Sequence, residues 1–217
     1  MVNEANDDLP SRTLLSWDLT EIQRGDSLNT RERDIANVRG FRITGAFAAT
    51  TMNQEHTVHL AVIGQRGCAD LWTSGAENFV TSTDFFRGYG DERFKSFSTG
   101  LSSSEMHTLP INKDAYVILT HRKYRLKPRF HYFEDGAPGA TKTVSGTRSE
   151  VPFDFYVPYN RQVRYDHPLG NNDFAMIGRV ALVMWQDRTE GHAPGTAIAT
   201  GSMSYDLRPV TVFRDIL

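Results

Sequence analysis

The 217 residues carry 24 Lys and Arg against 26 Asp and Glu, a formal charge of −2, with 39% hydrophobic, 23% charged and 11% aromatic residues. That balance excludes a natively disordered chain, which is poorer in apolar residues and richer in charge; the sum of charge alone proposes neither nucleic acid nor an acidic substrate as partner. A chain this long buries roughly 70% of the surface that it exposes when unfolded, so one soluble domain with one core is expected, and no apolar stretch approaches the ~20 residues of a membrane helix.

In chain order, residues 1–11 are acidic (Glu4, Asp7, Asp8) and without a base, and are expected to be disordered or extended; residues 12–217 form the folded domain. The recurring pattern is period-two alternation rich in Val, Ile, Thr, Phe and Tyr, broken by Gly, Pro, Asn and Asp. Strands are predicted over Arg12 to Ile22 and over Ile35 to Thr50, where Ile35, Asn37, Arg39, Phe41, Ile43, Gly45 and Phe47 share one face. Gly40 and Gly45 mark a bend or bulge in the second. His56 to Gln65 is almost continuously apolar and suits a covered central strand. Gly67 to Pro110 shows no useful alternation; within it, Asp84 to Phe97 reads as a short broken helix carrying Phe86, Phe94 and Phe97 on one side.

Asp114 to Phe130 gives a fourth strand, with Tyr116, Ile118, Tyr124 and Leu126 on one parity and His121, Lys123, Arg125, Lys127 and Arg129 on the other. Glu134 to Ser149 has the composition of an exposed turn. Four more strands follow, over Val151 to Tyr165, Phe174 to Gln186, Thr196 to Tyr205 and Leu207 to Arg214. Pro152 and Pro158 restrict the first of these to a sheet edge or a bulged path. Eight strands with several connections too long for hairpins point to an all-β fold, a single eight-stranded antiparallel jelly roll with a long loop between the third and fourth strands.

Catalytic signatures are missing from the sequence. There is no phosphate-binding glycine loop, no dinucleotide fingerprint and no Gly-x-Ser-x-Gly elbow. Cys68, the one cysteine, cannot form an internal disulfide and reads as a small buried hydrophobe. His56 and His59 fall on opposite faces of a strand, and His121 and His131 lack the neighbours of a cupin metal site, so no metal, cofactor or catalytic residue is expected. Trp17, Met184 and Trp185 read as core.

The strongest local signal is electrostatic. Arg122, Lys123, Arg125, Lys127 and Arg129 lie within eight residues, with no acid between His121 and His131. Such a run calls for counter-charge from acidic side chains, solvent or a polyanion. Tyr124, Phe130 and Tyr132 interleave with it, offering rings on which unpaired bases stack. An edge strand whose cations discourage aggregation explains the run equally well.

Val38-Arg39-Gly40-Phe41-Arg42-Ile43, the apolar strand Val58 to Ile63, Asp84-Phe85-Phe86-Arg87-Gly88, His121-Arg122-Lys123-Tyr124-Arg125-Leu126 and the run from Val157-Pro158-Tyr159-Asn160 to Asp166 occur in an order that resembles capsid proteins of small circular single-stranded DNA viruses, the circovirus-like and nanovirus-like kin. The likeness runs from about Arg12 to Arg214. It implies a non-enzymatic virion protein that assembles sixty copies into a T=1 icosahedral shell around circular single-stranded DNA, passing through host cytoplasm and nucleus. The host receptor or glycan stays open. On this reading Arg122, Lys123, Arg125, Lys127, Arg129, Arg161 and Arg164 bind nucleic acid. Interfaces concentrate their energy in aromatic and Arg anchors, so Trp72, Phe85, Phe86, Arg87, Tyr89, Phe94 and Phe97 are expected at subunit contacts; a mini-core on the chain's own sheet is the alternative for the aromatics. Such coats open with an arginine-rich arm, whereas this sequence opens with acids, and a truncated arm is the expected explanation. A jelly-roll module binding carbohydrate or a receptor through Tyr132, Tyr156 and Tyr159 is the alternative function.

Overall fold

The computed structural model describes residues 4–8, 14–25, 30–49, 56–66, 80, 82–88, 94–97, 101–126, 129–132, 144–147, 150–165, 175–188 and 203–215. In chain order its elements are β1 (Glu4–Asp8), β2 (Leu15–Asp18), β3 (Ile35–Ala49), β4 (His56–Gln65), β5 (Phe86–Arg87), β6 (Phe94–Lys95), α1 (Ser103–Thr108), β7 (Tyr116–Leu126), β8 (Arg129–Tyr132), β9 (Val144–Thr147), β10 (Glu150–Arg164), β11 (Val180–Arg188) and β12 (Met203–Asp215). Eight strands make two antiparallel four-stranded sheets, ordered β1-β12-β3-β10 and β2-β11-β4-β7. The chain is all-β.

The main core lies between these sheets. Phe41, Ile43 and Phe47 of β3 and Val157 of β10 meet Leu60 of β4 and Leu182 of β11; each such buried side chain contributes about 1.5–3 kcal/mol. On β4 the alternate residues Ala61 and Ile63 face the other way, into a second cluster with Val183 and Trp185 of β11. Both faces of β4 are therefore buried, which is why its sequence is apolar throughout.

Two breaks in register reshape the expected faces. In β3, Gly40 pairs with Pro158 and Val212, and Val38 pairs with Arg161 and Phe213, leaving Arg39 outside the pairing on both sides. Ala36 and Val38 are buried before this bulge and Phe41 and Ile43 after it, so Ile35, Asn37 and Arg39 do not share the face of Phe41. One extra residue inverts the parity of everything beyond it. Gly40 is required here, since a Cβ would collide with the Tyr156 hydroxyl and the Val157 carbonyl. In β7, Ile63 pairs with Ile118 and Val62 with Thr120, so Leu119 is the inserted residue. Tyr116 and Ile118 consequently join the second cluster, while Tyr124 and Leu126 face the main core; the single apolar face expected for these four is corrected.

The strand inventory also shifts. β1 pairs with β12, and the two predicted C-terminal strands are one continuous β12, because Met203, Tyr205 and Leu207 keep alternating inward across Asp206. The fourth predicted strand ends at Leu126; Arg129–Tyr132 instead pairs with Val144–Thr147 as a separate two-stranded sheet. β10 is an edge strand with a register shift after Pro158, as its prolines require. The helix expected over Asp84 to Phe97 is absent among the described residues of that span: β5 and β6 pair as a small ribbon. The helix comes later, from the serine run, where Ser102 and Glu105 form a reciprocal capping box.

Candidate functional site

The outer face of the second sheet holds the densest chemistry. Here β4, β7 and β11 present residues that the described parts of the segment between Val80 and Ala115 cover. That segment is anchored by backbone hydrogen bonds, from Arg87 N to the Pro110 carbonyl and from Asn112 N to the Phe85 carbonyl. Phe85, Phe86 and Phe97 bury beneath it against Trp185, with ring centroids 5.2 Å (Phe85) and 5.8 Å (Phe86) from the indole. The subunit contacts expected of these three phenylalanines are therefore corrected. The outer residues Ala61, Ile63, Val183 and Trp185 are apolar and need a lid, and these rings supply it. Phe94, 41% exposed, and Arg87 remain on the surface. Trp72 and Tyr89 lie outside the described residues.

The basic strand divides between two faces. His121, Lys123 and Arg125 point outward with their register partners Ala61, His59 and Thr57. Lys123 Nζ donates to the His107 carbonyl of α1 at 2.8 Å, which ties the strand to the lid. Arg122 points the other way and stacks its guanidinium 4.1 Å above the Phe155 ring of β10. Arg161 and Arg164 are exposed farther along β10, Arg161 over the Tyr159 ring. Phe155 and Arg161 are six residues apart, about 20 Å of strand, so these cations string out along the margin where β7 and β10 meet. Lys127 and the Arg129 side chain lie outside the described residues.

Beside this strand is a constellation that the sequence reading did not assemble. His59 of β4, His107 of α1, His121 of β7 and Asp187 of β11 converge around Trp185. Asp187 Oδ2 accepts from His59 Nε2 at 2.9 Å and from His107 Nδ1 at 2.6 Å. With its proton on Nε2, neutral His59 has a bare Nδ1, which accepts from His121 Nε2 at 3.1 Å. The protons therefore run in one direction, from His121 through His59 to Asp187. His59 also stacks on Trp185, with centroids 4.6 Å apart. Burial pushes the His59 imidazole below its ordinary range against the opposing pull of Asp187. Burial, then His59 and Lys123, hold His121 down to about 4. Both rings are neutral near pH 7.

The predicted strand stops at Gln186, short of Asp187, and His59 is expected to take no part in a metal site. Asp187 instead lies in β11, wholly buried, with its second oxygen, Oδ1, accepting no hydrogen bond from the described residues. The available signal was parity: Trp185 and Asp187 alternate outward on β11, and His59 is the register partner of both Trp185 and Lys123. His107 was unreadable, because a capped six-residue helix places it.

The chain matches no protein-family model, and a search of curated proteins returns no match either.

Proposed function

We propose that this chain is a structural capsid protein, built as an eight-stranded jelly roll, that assembles into a T=1 icosahedral shell around circular single-stranded DNA. The observation that carries this reading is strand order. In sequence, the eight principal strands go to the first and second sheets alternately, except that β4 and β7 are neighbours in the second; the orders β1-β12-β3-β10 and β2-β11-β4-β7 are those of two interlocked Greek keys, a wiring shared by viral coats and by lectin-like modules. The sequence likeness favours the coat. On this reading the protein resides in the virion after passing through host cytoplasm and nucleus, Phe94 and Arg87 on the β5–β6 ribbon meet a neighbouring subunit, the β7–β10 margin offers Arg122, Arg161 and Arg164 to phosphates, and the outer face of β7 offers Arg125.

Because one fold hosts unrelated functions, assembly is the test. Negative-stain electron microscopy and light scattering of the purified chain are expected to show uniform hollow shells, about 1.5 MDa for sixty copies of 24.5 kDa. Monomers persisting across salt and pH would count against the reading. A low-order oligomer with glycan binding abolished by Tyr156→Ala would favour the carbohydrate-binding alternative, since Tyr156 is 50% exposed. The nucleic-acid role is tested separately: replacing Arg122 and Arg125 by Ser is expected to flatten the log-log salt dependence of single-strand binding by about 0.7 for each phosphate no longer neutralised. An unchanged slope removes the strand from that role.

A further inference from the structure

We propose that His59, His107 and Asp187 form a binding site for a divalent transition metal of the zinc class, which fastens the α1-bearing lid to the outer face of the second sheet. This inference does not depend on the capsid reading.

Three lines of geometry carry it. The donors come from three separate elements, β4, α1 and β11, and their ligand atoms all lie within 4.8 Å of one another. Two imidazoles and one carboxylate select zinc-like ions over magnesium or calcium, which take oxygen ligands. Tetrahedral bonds of about 2.0–2.2 Å set donors roughly 3.3 Å apart, so admitting the ion spreads the 2.6 and 2.9 Å contacts at Asp187 by several tenths of an ångström. His107, 44% exposed on a short helix, can supply that movement.

The second line is the carboxylate itself. Asp187 is fully buried; one oxygen takes both histidine bonds, while Oδ1 takes none from the described residues. An unpartnered buried oxygen on a carboxylate is costly, and a cation held by this group stabilises both oxygens at once.

Third, His59 has the outer partner that a ligating imidazole needs. Metal-bound histidines are oriented by a hydrogen bond at the ring's other nitrogen. For His59 that nitrogen, Nδ1, faces His121 Nε2 at 3.1 Å. When Nε2 takes the metal, His59 and His121 each move their proton to the other ring nitrogen. Nδ1 of His59 then donates to His121, and no net proton is released by the pair. The half-exposed side of His107 leaves the fourth position to water.

The test uses the untagged full chain stripped with chelator, titrated with Zn2+ by calorimetry and with Co2+ by visible ligand-field absorption. One ion per chain is expected, together with a melting temperature raised by about 5 °C or more at zinc about 100-fold above the dissociation constant. His107→Ala removes a hydrogen bond to the buried Asp187 carboxylate and is expected to lower the metal-free melting temperature, while weakening zinc binding about 100-fold or more. His121→Phe is expected to weaken it about 10–100-fold, as loss of an outer partner does. Asp187→Asn extends the series. No binding by the unaltered chain, or equal binding by it and His107→Ala, overturns the proposal. Should His107→Ala fail to fold, His107→Gln takes its place under the same criterion.

Discussion

The two sheets obey the same alternation rule under different boundary conditions. In the first, β10 reads almost regularly exposed and buried, with Phe153, Phe155 and Val157 inward and Asp154 and Tyr156 outward. In the second, β4 and β11 are buried on both faces, because the lid supplies the solvent side with a core of its own. The difference teaches that an outward-pointing residue of β4 or β11 is a core residue in energetic terms, whereas its counterpart on β10 is surface.

The sharpest way to break this comparison is to truncate outward residues in each sheet. Trp185→Ala, which removes the ring that touches His59, Phe85 and Phe86, is expected to cost about 5 kcal/mol in urea unfolding. An equally revealing contrast comes from two Asp–Arg pairs. Asp18 and Arg179 of the second sheet's margin are 3% and 4% exposed, with Arg179 NH2 2.7 Å from Oδ2. Thr20 satisfies the other oxygen through its amide and its hydroxyl. Asp18→Ala takes the carboxylate away from a buried guanidinium and is expected to cost about 3 kcal/mol by the same measurement. Tyr156→Ser on the first sheet should change stability by no more than about 0.5 kcal/mol; a loss comparable to that at Trp185 would mean that the first sheet is covered as well.

The smallest effect belongs to the exposed pair Arg42–Asp154, whose fork of hydrogen bonds spans β3 and β10. The Arg42 hydrogen bond, and then its charge, hold the Asp154 carboxyl below its ordinary range. A depressed carboxyl stabilises the fold while ionised. Its contribution is thus complete above the unfolded value near about 3.9 and is lost as pH falls through the lower folded value. Comparing Asp154→Asn with the parent by thermal melting should show a difference at the edge of detection at pH 7 that vanishes once acid has protonated the carboxyl in the folded chain as well.

What could be read in advance follows the same division. β4 and the prolines of β10 announced their positions, because an unbroken apolar run needs cover on both sides and proline cannot donate in a sheet interior. The covered sheet's outer chemistry was hidden. Phe85, Phe86 and Phe97 have the composition of an interface, and only the path of the lid turns them inward. Parity counting failed wherever the chain carries an extra residue: Gly40 advertised the bulge beside Arg39, whereas Leu119 gave no glycine or proline to mark the second. The His59–His107–Asp187 grouping joins residues up to 128 positions apart, as His59 and Asp187 are, and no local spacing encodes that.

The bulge at Leu119 constrains how this gene can vary. Swapping the amino acid there changes only how one partly buried side chain packs, and losing its codon would straighten the strand while leaving Ile118 opposite Ile63 and Thr120 opposite Val62; losing a codon in the regular stretch that follows would instead turn cations of β7 into the hydrocarbon interior. Among descendants of this sequence, a one-residue loss in β7 should be found at Leu119 more readily than anywhere between Arg122 and Leu126.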